Sequence, residues 1–146
     1  MKKQTARLAA VAVVDGKKLQ VTYTDRRTIY LDMDDVIGRY AAFAPLSDPV
    51  ELATVAVADW GWSLEWQCGA TLDADRVFEL SLEQAGMMEN VEFRRWQDKN
   101  QLSLSEAAEA IGLTRRTVSQ YRTGARPVSR TVSLACKGWE AERLAA

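Results

Sequence analysis

Between Leu102 and Val128 the chain reads LSLSEAAEAIGLTRRTVSQYRTGARPV, and its start and stop signals leave it little freedom of fold. Ser103 can cap a helix, and Glu106, three residues on, can close a capping box. Gly112 ends that helix where the chain must turn left-handed. Thr114 can cap a second helix, Gly124 ends it, and Pro127 stops any continuation. Two short helices joined by a tight turn are therefore expected. At roughly 100° per residue, Thr117, Val118 and Tyr121 fall within about 100° of one another and can pack inward. Arg115, Arg116, Ser119, Gln120 and Thr123 share the opposite arc of roughly 140°.

Arginine, glutamine and small hydroxyls on one exposed helix face are the side chains that read base edges in a DNA major groove. From Leu102 to Gly124 the segment resembles, without gaps, the helix-turn-helix of the lambda-repressor/Cro-type (XRE) regulators. The matching points are Ala108, at a close helix crossing, then Ile111, Gly112 and Val118, with Gly124-Ala125-Arg126-Pro127 similar to the family's exit from its recognition helix. Leu104 departs from the pattern, standing where the family commonly has a glutamine that touches phosphate, so Leu104 is expected to pack. The resemblance implies that Ser103–Ile111 crosses the DNA backbone while Arg115–Thr123 enters the groove. Thr114, Arg115, Arg116, Ser119 and Gln120 are then expected to read bases, with Arg122, Arg126 and Arg95 on phosphates.

Charge supports this division. The chain of 146 residues has a net charge of −1, but residues 1–86 hold 9 Lys/Arg against 13 Asp/Glu, whereas residues 87–146 hold 10 against 7. Between Ala110 and Trp139 there are five arginines and Lys137 and no acid. A local positive potential of this kind suits a polyanion whatever the total charge. Histidine is absent, which removes the commonest general base, most zinc sites and every Ser-His or Cys-His nucleophile. No catalytic residues, metal site or cofactor are identified, and the chain is not expected to be an enzyme. Cys68 and Cys136 lie far apart and read as two buried, reduced thiols. The longest apolar runs, such as Leu8–Val14, are too short to span a bilayer, and no signal peptide is found. A cytoplasmic location without a membrane partner is expected.

The first half is built differently. Leu8–Val14 reads as a strand, Asp15-Gly16 as a hairpin turn, and Leu19–Thr24 and Thr28–Asp32 alternate with period two, so a three-stranded meander is expected. Asp34 can cap a short helix, and another can begin after Asp48 with Pro49 in its first turn. Ala53–Ala58 and Ser63–Gln67 read as a further strand pair, and Asp73–Leu80 as a closing helix. Asp32, Asp34 and Asp35 invite a metal reading, but turn and capping duty accounts for them. Trp60, Trp62 and Trp66 could share one sheet face; with Asp59 and Glu65 as neighbours they suit core or interface packing better than stacking on single strands. The features VDGKKLQVTYTDRRTIYLDM, FAPLSDPVELATVAV and SLEWQCGATLDADRVFEL resemble domain-of-unknown-function family 2442 over residues 8–82. Members occur alone or fused to a DNA-binding segment. The resemblance rests on fold residues, transfers no catalytic residue and implies a regulatory or interaction module.

The expected fold is α+β: a small antiparallel β-rich domain with short helices at 1–86, then an all-α helix-turn-helix domain at 87–146. Gly86 is the expected hinge. Asn90 is expected to cap the next helix, which buries Phe93 and Trp96 and exposes Arg94, Arg95 and Lys99, and Ser129 or Ser133 opens the last helix. The sequence reads as a small transcriptional regulator that binds double-stranded DNA. One recognition helix of about 13 Å reads few base pairs, so a homodimer on a palindrome is expected. The competing reading is an antitoxin-like or adaptor module, with a protein partner or effector at residues 1–86.

Overall fold

The computed structural model describes residues 6–145. The chain is α+β and divides into two compact units, Met1–Gln84 and Ala85–Ala146.

In the first unit β1 (Leu8–Val14), β2 (Lys18–Tyr23) and β3 (Thr28–Asp32) form the antiparallel meander. The β1–β2 turn has Asp15 at φ 42° and Gly16 at φ 76°, the doubly left-handed geometry that suits a two-residue hairpin. Register places Val13, Leu19 and Leu31 in one row and Val11, Val21 and Ile29 in the next. Leu19, Val21 and Leu31 are fully buried, as the alternation requires. Helix α1 (Met33–Arg39) is capped by Asp32, whose Oδ1 accepts from Asp34 N at 3.0 Å, and not by Asp34 as expected. Met33 is wholly buried and already helical, which moves the cap two residues back. A 3-10 turn (Ala41–Ser47) leads to α2 (Pro49–Leu52), capped by Asp48 with Pro49 in its first turn.

A second antiparallel sheet follows, ordered β4 (Ala56–Ala58), β5 (Ser63–Glu65) and β6 (Thr71–Asp73). The sequence pattern did not show β6. The β4–β5 connection is left-handed at Asp59, Trp60 and Gly61. Gly61 is there for close approach as well, because a Cβ at this position would lie 2.7 Å from the Leu8 carbonyl oxygen. The three tryptophans do not share a face. Trp66 is buried and donates Nε1–H to the Leu52 carbonyl at 3.1 Å, Trp62 is half-buried, and Trp60 is 87% exposed on the left-handed turn. Leaving the strand at Asp59 breaks the alternation that would have aligned them. Helix α3 (Ala74–Gln84) buries Val77, Phe78 and Leu80 and ends with Gln84 bonded to both the main-chain N–H and carbonyl of Asp32, each at 2.8 Å.

The second unit is all helix: α4 (Met88–Lys99), α5 (Leu104–Ile111), α6 (Arg115–Thr123) and α7 (Arg130–Ala145). Its core gathers Phe93, Trp96, Ala107, Val118, Tyr121 and Cys136, with Leu104 and Trp139 packed against them. Phe93 meets Tyr121 edge-on at 5.2 Å, and Trp96 meets Trp139 at 5.6 Å. Such pairs add specificity to the apolar burial. Ser129 Oγ accepts from Val132 N and caps α7. Both cysteines are free thiols; Cys136 is buried, but Cys68 is exposed in the β5–β6 turn, contrary to expectation. Among the described residues no helix is long and apolar enough to cross a membrane, and no cluster of three or more Cys, Asp or Glu could hold a metal ion.

Candidate nucleic-acid interface

Helices α5 and α6 and their turn carry the local chemistry read from the sequence. Ser103 Oγ accepts from Glu106 N at 3.0 Å while Glu106 Oε1 accepts from Ser103 N at 2.9 Å, a complete capping box. These bonds, the Ser103 N–H foremost, hold the Glu106 carboxyl below its ordinary pKa. Gly112 (φ 73°) ends α5 and Gly124 (φ 80°) ends α6, both left-handed. Thr114 caps α6, its Oγ1 accepting from Thr117 N at 3.1 Å and lying 2.9 Å from the Thr117 hydroxyl.

On α6, Val118 and Tyr121 face the core. Arg115, Arg116 and Ser119 are exposed, and Gln120 is half-buried beside them. Arg115 reaches across to α5, with Nη1 3.4 Å from Ser105 Oγ. Arg126 is exposed just beyond the helix, and its main chain is held on both sides, N–H to the Gln120 carbonyl and carbonyl to Asn90 Nδ2. Thr114, Arg115, Arg116, Ser119, Gln120 and Arg126 thus lie on the helix, at its cap or at its exit.

Two expected phosphate residues lie elsewhere. Arg122 is only 4% exposed, and its Nη1 donates to Gln97 Oε1 and Asp98 Oδ1, each at 3.0 Å. It is an internal tie to α4 and not a surface cation. Arg95 stands roughly 140° around α4 from Asn90 and lines a groove against α7.

The sequence reading missed the polar seam that fixes α6. Asn90 was expected to cap α4, but α4 begins at Met88 after a Met87 N-cap, and Asn90 is buried inside the helix. Its Nδ2 donates to the carbonyls of Tyr121 at 2.9 Å and Arg126 at 2.8 Å, and its Oδ1 accepts from Val128 N at 3.0 Å. Arg94, expected outside, is buried, and its Nη1 donates to the Arg122 carbonyl at 2.7 Å. Gln97 takes the Arg122 guanidinium on one side and gives Nε2–H to the Leu102 carbonyl on the other. Asn90, Arg94 and Gln97 recur at i, i+4 and i+7, one face of a helix. That polar stripe was the available signal. Asn90 and Arg94 satisfy the Tyr121 and Arg122 carbonyls at the C-terminus of α6, which burial would otherwise make costly, and Gln97 holds the Arg122 side chain.

The meander, the short helices, the second sheet and α3 define the class to which the first unit belongs. The chain is a member of the family described as "Protein of unknown function (DUF2442)", whose model matches residues 8–82. Over 95% of its length the chain is also similar to the crystal structure of a Nitrosomonas europaea protein named "Putative DNA Binding Protein". That likeness has 37% identity, covers 89% of the other chain and has a TM-score of 0.66. None of the curated proteins matches.

Proposed function

We propose that residues 87–146 bind double-stranded DNA as an XRE-type helix-turn-helix and that the chain acts as a small transcriptional regulator. The observation that carries this reading is the solvent-facing arc of α6, where Arg115, Arg116, Ser119 and Gln120 stand together over a fully packed inner face. Two arginines in the first turn oppose the helix dipole, at about 0.3–1 kcal/mol each. Arg116 makes no hydrogen bond or ion pair among the described residues and Arg115 only a long one to Ser105, so a polyanion relieves their cost. The Nitrosomonas europaea relative's name points the same way.

In this reading Thr114, Arg115, Arg116, Ser119 and Gln120 meet base edges, and Arg126, pinned at the helix exit, meets phosphate. The nine residues of α6 read too few base pairs to stand out in a genome, so two units act together as a homodimer joined through residues 1–86. The second reading, an adaptor whose first unit docks a protein partner, is favoured by Trp60, an almost fully exposed indole on a left-handed turn.

Selection of bound duplexes from a random pool tests the proposal, followed by Arg116→Ala and Arg126→Ala on the selected site. Arg116→Ala is expected to cost about 1–3 kcal/mol at one base position, whereas Arg126→Ala weakens all sequences alike and makes the salt dependence shallower. Recovery of no enriched sequence overturns it, and so do equal effects of both substitutions on matched and mismatched versions of a selected site.

A further inference from the structure

Ala125, Arg126 and Pro127, just past α6, all have exposed side chains. Such a stretch buries little, so packing does not offset the entropy lost when its backbone is held in one conformation. It is held nevertheless, and from inside. Asn90 on α4 is 1% exposed, its Nδ2 donates to the Arg126 carbonyl at 2.8 Å, and its Oδ1 accepts from Val128 N at 3.0 Å. Val128 is itself buried, and Arg126 N–H reaches the Gln120 carbonyl at 3.3 Å. The Asn90 bond to the Tyr121 carbonyl belongs to the helix end. The other two act beyond it. The Arg126 guanidinium, by contrast, makes no hydrogen bond or ion pair among the described residues, so a free cation stands on a fixed main chain.

We infer that Asn90 is a positioning residue for duplex binding: it presets the main chain at Arg126, so that the guanidinium meets phosphate without first ordering its loop. The inference rests on the DNA binding proposed above. Order that exists before binding is not lost on binding, and affinity gains accordingly. The task needs two N–H donors and one acceptor in a single plane, which a carboxamide supplies and a carboxylate or hydroxyl does not. Releasing the backbone of about one residue should weaken binding about 5- to 30-fold. Because the weakened contact is ionic, the salt dependence should become shallower as well. Asp98, farther along α4, offers a comparison. It bonds the Arg122 guanidinium and, among the described residues, nothing between Gly124 and Val128.

The full chain is titrated with a selected duplex at salt concentrations from about 50 to about 200 mM, below the melting transition of every variant. Asn90→Ala, Arg126→Ala and the double variant form one cycle, and Asp98→Ala is the comparison. Asn90→Ala is expected to weaken binding and flatten the salt dependence toward that of Arg126→Ala. Adding Arg126→Ala to it is expected to cost clearly less than in wild type. Asp98→Ala destabilises the unit but is expected to keep the wild-type salt slope and the full cost of Arg126→Ala. A merely structural Asn90 would behave as Asp98 does, because a smaller folded fraction lowers affinity at every salt concentration alike. Should the indole NMR signals of Trp96 and Trp139 show that Asn90→Ala does not fold, Asn90→Ser, which keeps one donor, carries the same cycle. An unchanged salt slope, or additive costs at 90 and 126, overturns this inference and leaves DNA binding standing. A wild-type chain that binds no duplex overturns both.

Discussion

The Arg122–Asp98 tie makes a counter-intuitive prediction: removing the acid costs more than removing the buried base. The Arg122 side chain is 5% exposed and that of Asp98 37%. Asp98→Ala leaves a guanidinium in the interior with Gln97 Oε1 as the remaining acceptor of its Nη1. Breaking one partner of a buried pair costs about 3–5 kcal/mol. The carboxylate is one-third exposed, so solvent screening lowers the expected loss to about 2–4 kcal/mol. Arg122→Met removes the charge itself, keeps most of the stem's apolar volume and lets Asp98 rehydrate. Its main cost is the buried Gln97 carbonyl left without a donor, about 1–3 kcal/mol. The double variant should cost less than the sum of the two, with a coupling of at least about 1 kcal/mol. Urea unfolding followed by the indole NMR signals of Trp96 and Trp139 reads the second unit separately from Trp60, Trp62 and Trp66. At about 4–8 °C per kcal/mol for a unit of this size, Asp98→Ala should also lower its melting point by roughly 10 °C or more. The reasoning fails if the two costs are additive, or if Arg122→Met leaves the midpoint unmoved and instead lowers the salt dependence of DNA binding, the signature of a phosphate contact.

Three further outcomes follow from the backbone and the titrating groups. Gly61→Ala, with a Cβ 2.7 Å from a main-chain oxygen at φ 92°, should cost the first unit more than about 2 kcal/mol, whereas Gly112→Ala, with open space at φ 73°, should cost the second about 1 kcal/mol, both read by urea midpoint. Because the Glu106 pKa lies below its ordinary 4.5 in the folded chain, its share of stability is complete above that pH and is lost as pH falls through the folded value; amide exchange in the first turn of α5 should accelerate there, and Glu106→Ala should remove the dependence. The Cys136 pKa is raised instead, so its contribution is complete below about 9 and is lost between about 9 and about 12. Alkaline unfolding of Cys136→Ala should be correspondingly flatter than that of wild type across that range.

The α5–turn–α6 segment was legible because its signals are local. Ser103, Glu106, Gly112, Thr114 and Gly124 each act within one helical turn, and all five sit where the sequence placed them. The meander was legible for a similar reason, a period of two written across β2 and β3. What was not legible depends on distant partners. Arg122 lies at the edge of the inner arc of α6, between Val118 and Arg115, and only Gln97 and Asp98 on α4 decide that it turns inward. Asn90 has a cap's chemistry, yet the helix already starts at Met88, and three main-chain groups from the α6 exit claim its amide. Strand β6 has three residues, too few for any alternation to register, and exists through pairing with β5. The exposed Trp60 follows from left-handed backbone at Asp59 and Trp60, which non-glycine residues seldom announce.

The separation of the two faces of α6 bears on how such a chain can change over generations. Val118, Tyr121 and Arg122 carry its attachment to the rest of the unit, and Arg115, Arg116 and Ser119 carry almost none of it. Exchanges at the exposed positions fall in the range of ordinary surface substitutions, within about 0.5 kcal/mol, so the outer face can be rewritten one residue at a time without passing through an unfolded ancestor. The inner three cannot drift singly, because Arg122 is useful only while Gln97 and Asp98 face it. Descendants of one such gene should therefore differ most at 115, 116 and 119 and hold 97, 98 and 122 as a block, a changing face on an unchanged frame.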